Sequence, residues 1–259
     1  MDVTADRRVD LSAAVSVGKS IYSLVIVLVL WELVAQFGLI HYYFLPPLSD
    51  ILLRFYELTV SGEMLYNAYL TLRRALVGLA IASVLGIVVG ILCARNAAVN
   101  WFFDPIIKIG YPVPIISLIP VFMLWFGIGD VSKIIMVAVG TFWPVAVNAR
   151  DSTRQVEQNL VWSARMMGTG NGRLLRRVIL PAAAPGILTG LQIAMPLSLI
   201  ITFVFEMVAG GGGLGALEIE GVRSFESTQV YAAIIAIMLV GIGLDRILRF
   251  ARGRLLHWT

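Results

Sequence analysis

The chain of 259 residues is too apolar and too weakly charged for a domain that dissolves in water. Hydrophobic residues make up 59% of the sequence and charged residues 14%, with a mean hydropathy of +0.87. A soluble domain carries about 25% charged residues. Cys93 is the single cysteine, which excludes intramolecular disulfides and thiolate metal clusters. The two histidines, His41 and His257, lie far apart in the sequence, so we expect neither a catalytic residue set nor a metal site.

Long uncharged runs recur along the chain and predict membrane-spanning helices. A helix needs about 20 apolar residues to cross a bilayer, and continuous runs without alternation argue against a transmembrane barrel. We therefore predict an all-α polytopic membrane protein with about six transmembrane helices. The six runs, of which only the first contains a charge (Glu32), are Ser20–Phe44, Ala75–Ala94, Ile109–Gly129, Ile134–Ala149, Val178–Phe205 and Ser227–Leu244.

The distribution of basic residues predicts the orientation of these spans. Cytoplasmic segments carry an excess of lysine and arginine, and with the N-terminus inside they hold 14 of the 20 basic residues. Both termini are then cytoplasmic, and the net charge of +4 reflects topology and does not require a nucleic-acid partner. Arg73 and Arg74 fit this topology badly, so we interpret them as interfacial. The six basic residues elsewhere are Arg54, Arg73, Arg74, Lys108, Lys133 and Arg223.

The spans divide the chain into a tail, an anchor and a core. Residues 1–19 are predicted to be a cytoplasmic tail that mixes acids and bases, so residues 20–44 form an uncleaved anchor helix and not a cleaved signal peptide. Residues 45–70 are predicted to be external, with an interfacial amphipathic helix over Leu48–Tyr66. Residues 71–250 hold the other five helices, and residues 251–259 form a cytoplasmic tail.

The second span carries small residues at four-residue intervals. Gly78, Ala82, Gly86 and Gly90 would share one helix face, which lets two helices approach closely in lipid. The sequence leaves open whether this face packs within the chain or against a second copy.

Proline is concentrated in the third and fifth spans. It removes a backbone donor and kinks a helix, and kinked helices can line cavities in transport proteins. Pro112 and Pro196 are therefore candidates for the translocation pathway, although inert packing is an equal alternative. The prolines are Pro105, Pro112, Pro114, Pro120, Pro181, Pro185 and Pro196.

Glu206 ends the longest uncharged run and is followed by the tetraglycine Gly210–Gly213. A charge at the edge of a membrane helix is costly and is by default a functional candidate. We predict that Glu206, Gly213 and Gly215 belong to the pathway or its gate, the glycines forming a flexible turn or re-entrant segment. The alternative is a carboxylate that snorkels to external water.

The remaining charges are predicted to have structural or surface roles. Glu32 is expected to be paired or interfacial, and Asp104 and Lys108 are spaced for a helical ion pair. The acids that follow the tetraglycine are predicted to be solvated, and contact with a binding protein is the alternative. They are Glu218, Glu220 and Glu226.

The segment 150–181 is predicted to form a compact knob on the cytoplasmic side. Val156, Leu160, Ala164 and Met167 fall on one helical stripe, and Gly168 then breaks the helix. An apolar stripe outside the bilayer must pack against something. The partner is either the chain's own helices or another subunit.

This segment also carries a recognisable signature. Trp162-Ser163-Ala164 is followed by Gly168 and then by Val178-Ile179-Leu180-Pro181. It resembles the EAA loop of the inner-membrane permeases of binding-protein-dependent ABC importers: E-A-A, three residues, G, nine residues, I-x-L-P. Both spacings are kept. Trp162 and Ser163 depart from the first two letters, and this change removes the family's acid while keeping the helix and the turn.

The resemblance extends over roughly residues 44–250 and is strongest to the nitrate, sulfonate and taurine branch. Glu206 and Gly213-Leu214-Gly215 also resemble this family. The longer matching segments are Phe44-Leu45-Pro46-Pro47, Thr71-Leu72-Arg73-Arg74, Trp125-Phe126-Gly127-Ile128-Gly129 and Pro185-Gly186-Ile187-Leu188-Thr189-Gly190-Leu191.

The resemblance implies a type I importer permease core that works with partners. Two copies would line a pathway in the bacterial cytoplasmic (inner) membrane, each docking its knob into an ATPase subunit, and a soluble binding protein would deliver a small anion. ATP and Mg would be bound by the ATPase, since this chain has no phosphate loop. An ion-gradient-driven carrier, or the same permease type for another solute, is the alternative. The implied coupling residues are Val156, Leu160, Ala164, Arg165, Met167, Gly168, Leu180 and Pro181.

Overall fold

A computed structural model describes residues 22–256, and every regular element within that range is helical. Residues 1–19, predicted as a tail, lie outside the described part. The α-helices are α1 (Tyr22–Gln36), α2 (Leu48–Val60), α3 (Glu63–Arg95), α4 (Ala97–Gly110), α5 (Ile119–Phe126), α6 (Asp130–Arg154), α7 (Gln158–Met166), α8 (Asn171–Leu174), α9 (Leu180–Ala209), α10 (Leu214–Arg223) and α11 (Ser227–Leu255). A 3₁₀ turn spans Ile115–Leu118 and a π-helical turn spans Leu175–Ile179.

Helices α3, α6 and α9 form the centre of the bundle, because α6 packs against both of the others. The small-residue face of α3 makes the first of these contacts. A Cβ on Gly86 would lie 2.9 Å from the Val145 side chain, and one on Gly90 would lie 2.7 Å from Ala149. This face therefore packs within the chain, and the alternative of a seam between two copies is wrong for it.

Four described helices are long and apolar enough to span a membrane, namely α3, α6, α9 with the turns before it, and α11. The predicted third span is not one straight helix: α4 and the segment Ile115–Phe126 differ in direction by 87°. The break falls at residues 111–114, where Pro112 and Pro114 interrupt the backbone hydrogen bonding. Counted as one bent span, this pair brings the candidates to five.

The N-terminal helices pack on the start of α11. The described part of α1 is shorter than a span and ends at Gln36, before the predicted end at Phe44. Trp31 of α1 lies edge-on against Tyr231. Helix α2 ends at Val60, short of the predicted Tyr66, because Gly62 adopts a left-handed conformation and starts α3. Ile51 and Leu58 of α2 are buried against the protein. The predicted place of α2 in the membrane interface stays a prediction.

The helices define two ends of the bundle. The glycine-loop end holds the beginnings of α3, α6 and α11, the end of α9, and the loop Gly210–Gly213. The knob end holds the opposite termini of these helices and residues 155–179. Helix α11 reaches Leu255 at that end, so its last turns fall in the region predicted as a tail.

Candidate functional site

A buried ion cluster lies at the glycine-loop end, centred on Arg74 of α3. The side chain of Arg74 is 2% exposed and that of Glu206, on α9, is 0% exposed. Arg74 Nη1 donates to Glu206 Oε1 at 2.6 Å and to the Gly212 carbonyl at 2.7 Å. Its Nε donates to Asp130 Oδ1 at 2.7 Å, and its Nη2 donates to the Gly211 carbonyl at 2.9 Å. One guanidinium thus joins α3, α6, α9 and the loop.

Glu206 is held by further donors on the other side of its carboxylate. Thr71 Oγ1 donates to Glu206 Oε2 at 2.7 Å, and the Gly215 N–H donates to the same oxygen at 3.3 Å. A paired carboxylate with no exposed surface does not snorkel to water, so that alternative is wrong. Arg74 is buried within the protein, whereas Arg73, which contacts Asp130, is partly exposed. Their predicted place at the membrane interface stays a prediction.

Lys133 is the second buried cation of the cluster. Its residue is 1% exposed, and its Nζ donates to the Gly210 carbonyl at 2.7 Å. All four loop glycines, Gly210–Gly213, have positive φ, a conformation that side chains other than glycine rarely adopt. Three successive carbonyls therefore face two buried cations. The tetraglycine is an ordered cap over the ion cluster.

Gly213 and Gly215 lie directly against Glu206. The assignment of these three residues to the pathway or its gate stays a prediction. A Cβ on Gly213, at φ 108°, would collide with the Glu206 carboxyl group. A Cβ on Gly215 would lie 3.0 Å from Glu206 Cβ and would also collide with the Phe203 carbonyl. Glycine is therefore needed at both positions, because a side chain would crowd the buried Glu206 or the helix that carries it.

We expect Gly213→Ala to lower the free energy of unfolding by about 3 kcal/mol or more, from overpacking and forced backbone geometry. Gly210→Ala is the matched control, because Gly210 also has positive φ but a Cβ there meets nothing within 4 Å. The midpoints of thermal unfolding in detergent compare the two. Equal losses would show that Glu206 does not require the space at Gly213.

Outside the cluster, the Asp104–Lys108 pair follows the prediction and Glu218 does not. Asp104 and Lys108 form the predicted helical ion pair at 2.6 Å. Glu218, predicted as solvated, is half-buried on α10, and its Oε2 has no hydrogen-bond partner among the described residues. Burial raises the pKa of the Glu218 carboxyl group. Glu220 and Glu226 are exposed.

The two proline candidates lie away from the ion cluster and from each other. Pro112 is exposed at the α4–α5 break. A cavity of about 390 Å³ beside this break is lined by its neighbours Tyr111, Val113 and Pro114. Pro196 lines a separate apolar cavity of about 310 Å³ between α9 and α11. Their assignment to the pathway stays a prediction.

The knob at the other end is a helix, a turn and a second short helix. Helix α7 ends where the Thr169 N–H donates to the Ala164 carbonyl and the Gly168 N–H donates to the Arg165 carbonyl. This is the Schellman arrangement, which places glycine in a left-handed conformation after the helix. Gly168 has φ 75° and accordingly breaks the helix where predicted. A π-helical turn then leads to Leu180 and Pro181 at the start of α9.

The predicted apolar stripe of the knob divides between two environments. Val156 and Ala164 are buried against the chain's own helices, with Leu174 and Ile179. Leu160 is 48% exposed and Met167 is 79% exposed. Further apolar side chains join them at the surface. They are Trp162 at 58% and Met166 at 90% exposure.

A comparison with known protein families agrees with the helical bundle and knob described above. Residues 86–257 match the model of the binding-protein-dependent transport system inner membrane component. The chain belongs to this family. It is a multi-pass permease of an ABC importer, the class that works with ATPase and binding-protein partners.

Several relatives match this permease over most of its length. A putative aliphatic sulfonates transport permease protein SsuC of Bacillus subtilis is 30% identical and covers 90% of this chain and 84% of its own. The taurine transport system permease protein TauC of Escherichia coli is 33% identical, and the match covers 92% of this chain and 89% of TauC. The formylaminopyrimidine transport permease protein ThiX of Halalkalibacterium halodurans is 32% identical, and the match covers 83% of this chain and 85% of ThiX.

Solved structures share the fold. The inward-facing MetNI methionine ABC transporter matches with a TM-score of 0.60 and 23% identity, over 74% of this chain and 97% of that chain. An amino acid ABC transporter matches with a TM-score of 0.63 and 15% identity, over 76% of this chain and 96% of that chain. The permease therefore has the type I importer core that the resemblance implied.

Sequence reasoning missed three members of the ion cluster: Arg74, Asp130 and Lys133. The signal that could have found them is positional. Arg74 precedes the second uncharged run, Lys133 precedes the fourth, and Glu206 lies at the end of the fifth. Alternating spans place these three run ends on the same side of the membrane, where opposite charges can meet.

Proposed function

We propose that this permease imports a small organic sulfonate. Similarity to the SsuC and TauC permeases over nearly the whole chain carries the proposal. The family supports an ATP-driven importer over a carrier driven by an ion gradient. The ThiX permease, named for a formylaminopyrimidine, makes a pyrimidine-type solute the second candidate.

The proposed orientation in the bacterial inner membrane has the knob in the cytoplasm and the glycine loop outside. Basic residues favour the cytoplasmic side, and the knob end carries Arg95, Arg150 and Arg154 at helix ends. The knob itself adds Arg165, Arg173, Arg176 and Arg177. Both termini are then cytoplasmic.

The proposed ATPase contact is the exposed apolar surface of the knob, which consists of Leu160, Trp162, Met166 and Met167. Methionine is common at adaptable docking surfaces, and this surface would otherwise contact water. Arg165 is exposed beside it, while the buried Val156 and Ala164 fix α7 on the permease. Leu180 and Pro181 connect the knob to α9, so a push on the knob reaches a central helix. ATP and Mg would bind to the ATPase.

The proposed assembly contains two copies of the permease, two ATPase subunits and one soluble binding protein. The binding protein would dock at the glycine-loop end, where α9 ends and α11 begins. The ion cluster would then hold α3, α6 and α9 together beneath the docked protein. Glu206 and its glycines accordingly act as part of the outer closure of the pathway.

The substrate is tested by stimulation of ATP hydrolysis. The permease, its ATPase and its binding protein are reconstituted together in nanodiscs, and ATPase activity is measured with taurine, ethanesulfonate, sulfate, nitrate and a formylaminopyrimidine. We expect the sulfonates to stimulate hydrolysis more than the other solutes. Stimulation by the pyrimidine alone would overturn the sulfonate assignment and favour the second candidate.

A further inference from the structure

The glycine loop presents opposite faces to the ion cluster and to a pocket. The carbonyl of Gly210 accepts from Lys133, and those of Gly211 and Gly212 accept from Arg74. In a planar trans peptide, the N–H points opposite to the C=O of the preceding residue. The N–H groups of Gly211, Gly212 and Gly213 therefore point away from the buried cations.

Among residues 22–256, only one of these three donors has a partner. The Gly213 N–H donates to Asn67 Oδ1 at 2.7 Å. The N–H groups of Gly211 and Gly212 have no acceptor within residues 22–256. Adjacent N–H groups that point the same way form a concavity suited to an anion. Cations bound to the carbonyls polarise the same peptide groups and strengthen these donors.

Gly211 and Gly212, which carry the unpaired donors, line a pocket of about 510 Å³. Its lining includes Gly211, Gly212, Asn67, Glu220 and Arg223. Among the described residues, the Arg223 guanidinium and the Glu220 carboxylate take part in no ion pair or hydrogen bond. They are three residues apart on α10, a spacing that places them on neighbouring positions of one helix face. The pocket has the size of a small-ligand site.

We propose that this pocket is a binding site for a small aminosulfonate, with the sulfonate on Gly211 N–H, Gly212 N–H and Arg223, and the ammonium on Glu220. This proposal rests on the proposed function and narrows the substrate from organic sulfonates in general to aminosulfonates. A sulfonate has three oxygens, and the residues that line the pocket offer three such donor groups. Glu220 repels a simple anion and attracts an amino group, so the pocket favours a zwitterion over sulfate or an alkanesulfonate.

The test measures uptake of taurine and of ethanesulfonate by proteoliposomes that contain the full complex with its binding protein. We expect Glu220→Gln to raise the KM for taurine about tenfold, the effect of one lost hydrogen bond to a charged group. The KM for ethanesulfonate should not rise, because that molecule has no ammonium. Arg223→Gln should raise both KM values about tenfold, since both molecules carry the sulfonate.

Arg54 and Glu57 provide matched controls. They form an exposed ion pair at the same end of the molecule, 3.3 Å apart and outside the pocket lining. Arg54→Gln and Glu57→Gln should leave both KM values unchanged. The affinity of the binding protein for the complex, measured in parallel by surface plasmon resonance, should not change in any of the four variants.

Two results would overturn the site. One is wild-type KM values for taurine in both pocket variants. The other is an equal rise for both solutes in Glu220→Gln together with weaker binding of the binding protein, which would assign α10 to protein docking. A wild-type complex that takes up no sulfonate would instead overturn the proposed function, which distinguishes the two failures.

Discussion

Replacing Arg74 by methionine should destabilise the permease more than any other single arginine substitution at the glycine-loop end. Breaking a buried ion pair by removing one partner costs about 3–5 kcal/mol, because the other charge stays buried without compensation. Here the loss strands Glu206 and frees two loop carbonyls. We expect a lower midpoint of thermal unfolding in detergent and loss of transport.

The Arg74 guanidinium donates four hydrogen bonds, to Asp130, Glu206 and the carbonyls of Gly211 and Gly212, and its Nη2 also lies 2.7 Å from Asp130 Oδ1. No other side chain offers this set of donors. Lysine would keep the charge but lose the forked geometry. Arg74→Lys should therefore recover only part of the stability. In the double variant Arg74→Met with Glu206→Leu, the loss should be smaller than the sum of the single losses, because no carboxylate is stranded on α9.

Arg54→Met is the matched control for the charge itself. Arg54 is also in an ion pair, with Glu226 at 3.1 Å, but its side chain is 32% exposed. Exposed pairs contribute about 0–1 kcal/mol, so this variant should unfold close to the wild-type midpoint. If Arg74→Met also unfolded there, the ion cluster would not hold the three central helices together.

Replacing Gly168 by valine should uncouple ATP hydrolysis from transport. Gly168 has φ 75° and a Cβ there would meet nothing within 4 Å. Valine would therefore meet no neighbouring atoms, but it strongly disfavours the positive φ that Gly168 adopts, because it is β-branched. We expect the end of α7 to shift and the knob surface to lose its position on the ATPase. Basal ATP hydrolysis should remain while solute-dependent stimulation and uptake fall at least about tenfold, as expected when a docking geometry is lost.

Gly170→Val separates this effect from the introduction of a side chain into the knob. Gly170 is two residues away, also in open space, but has φ −70° and ψ 158°, which valine adopts readily. This control should transport normally. Gly168→Asn should lie in between, because asparagine tolerates the left-handed conformation. Full coupled uptake by Gly168→Val would contradict the role of the knob.

The central helices and the knob could be predicted because their signals are local. Uncharged runs become long helices wherever the bilayer must be crossed, which located α6, α9 and α11. The glycine after α7 marks a helix end whatever the surroundings. The small residues of α3 indicated close packing, but their partner was open because α6 can be identified only from the fold.

Other features could not be predicted, because they depend on the direction of a helix or on contacts between residues far apart in the sequence. The uncharged run Ile109–Gly129 does not reveal that the chain turns by 87° at its prolines. Arg74 and Glu206 are 132 residues apart, so their pairing needed the arrangement of three spans. Glu218 was predicted to be solvated together with Glu220 and Glu226, yet packing of α10 buries one of its oxygens.

Uptake of radiolabelled taurine by proteoliposomes that contain the permease, its ATPase and its binding protein tests the proposed function most directly. With ATP on the side of the ATPase, we predict accumulation that requires the binding protein and persists when ionophores collapse ion gradients. Accumulation without ATP, driven by an imposed ion gradient, would contradict an ATP-coupled sulfonate importer, as would a complex that hydrolyses ATP but never accumulates taurine or an alkanesulfonate.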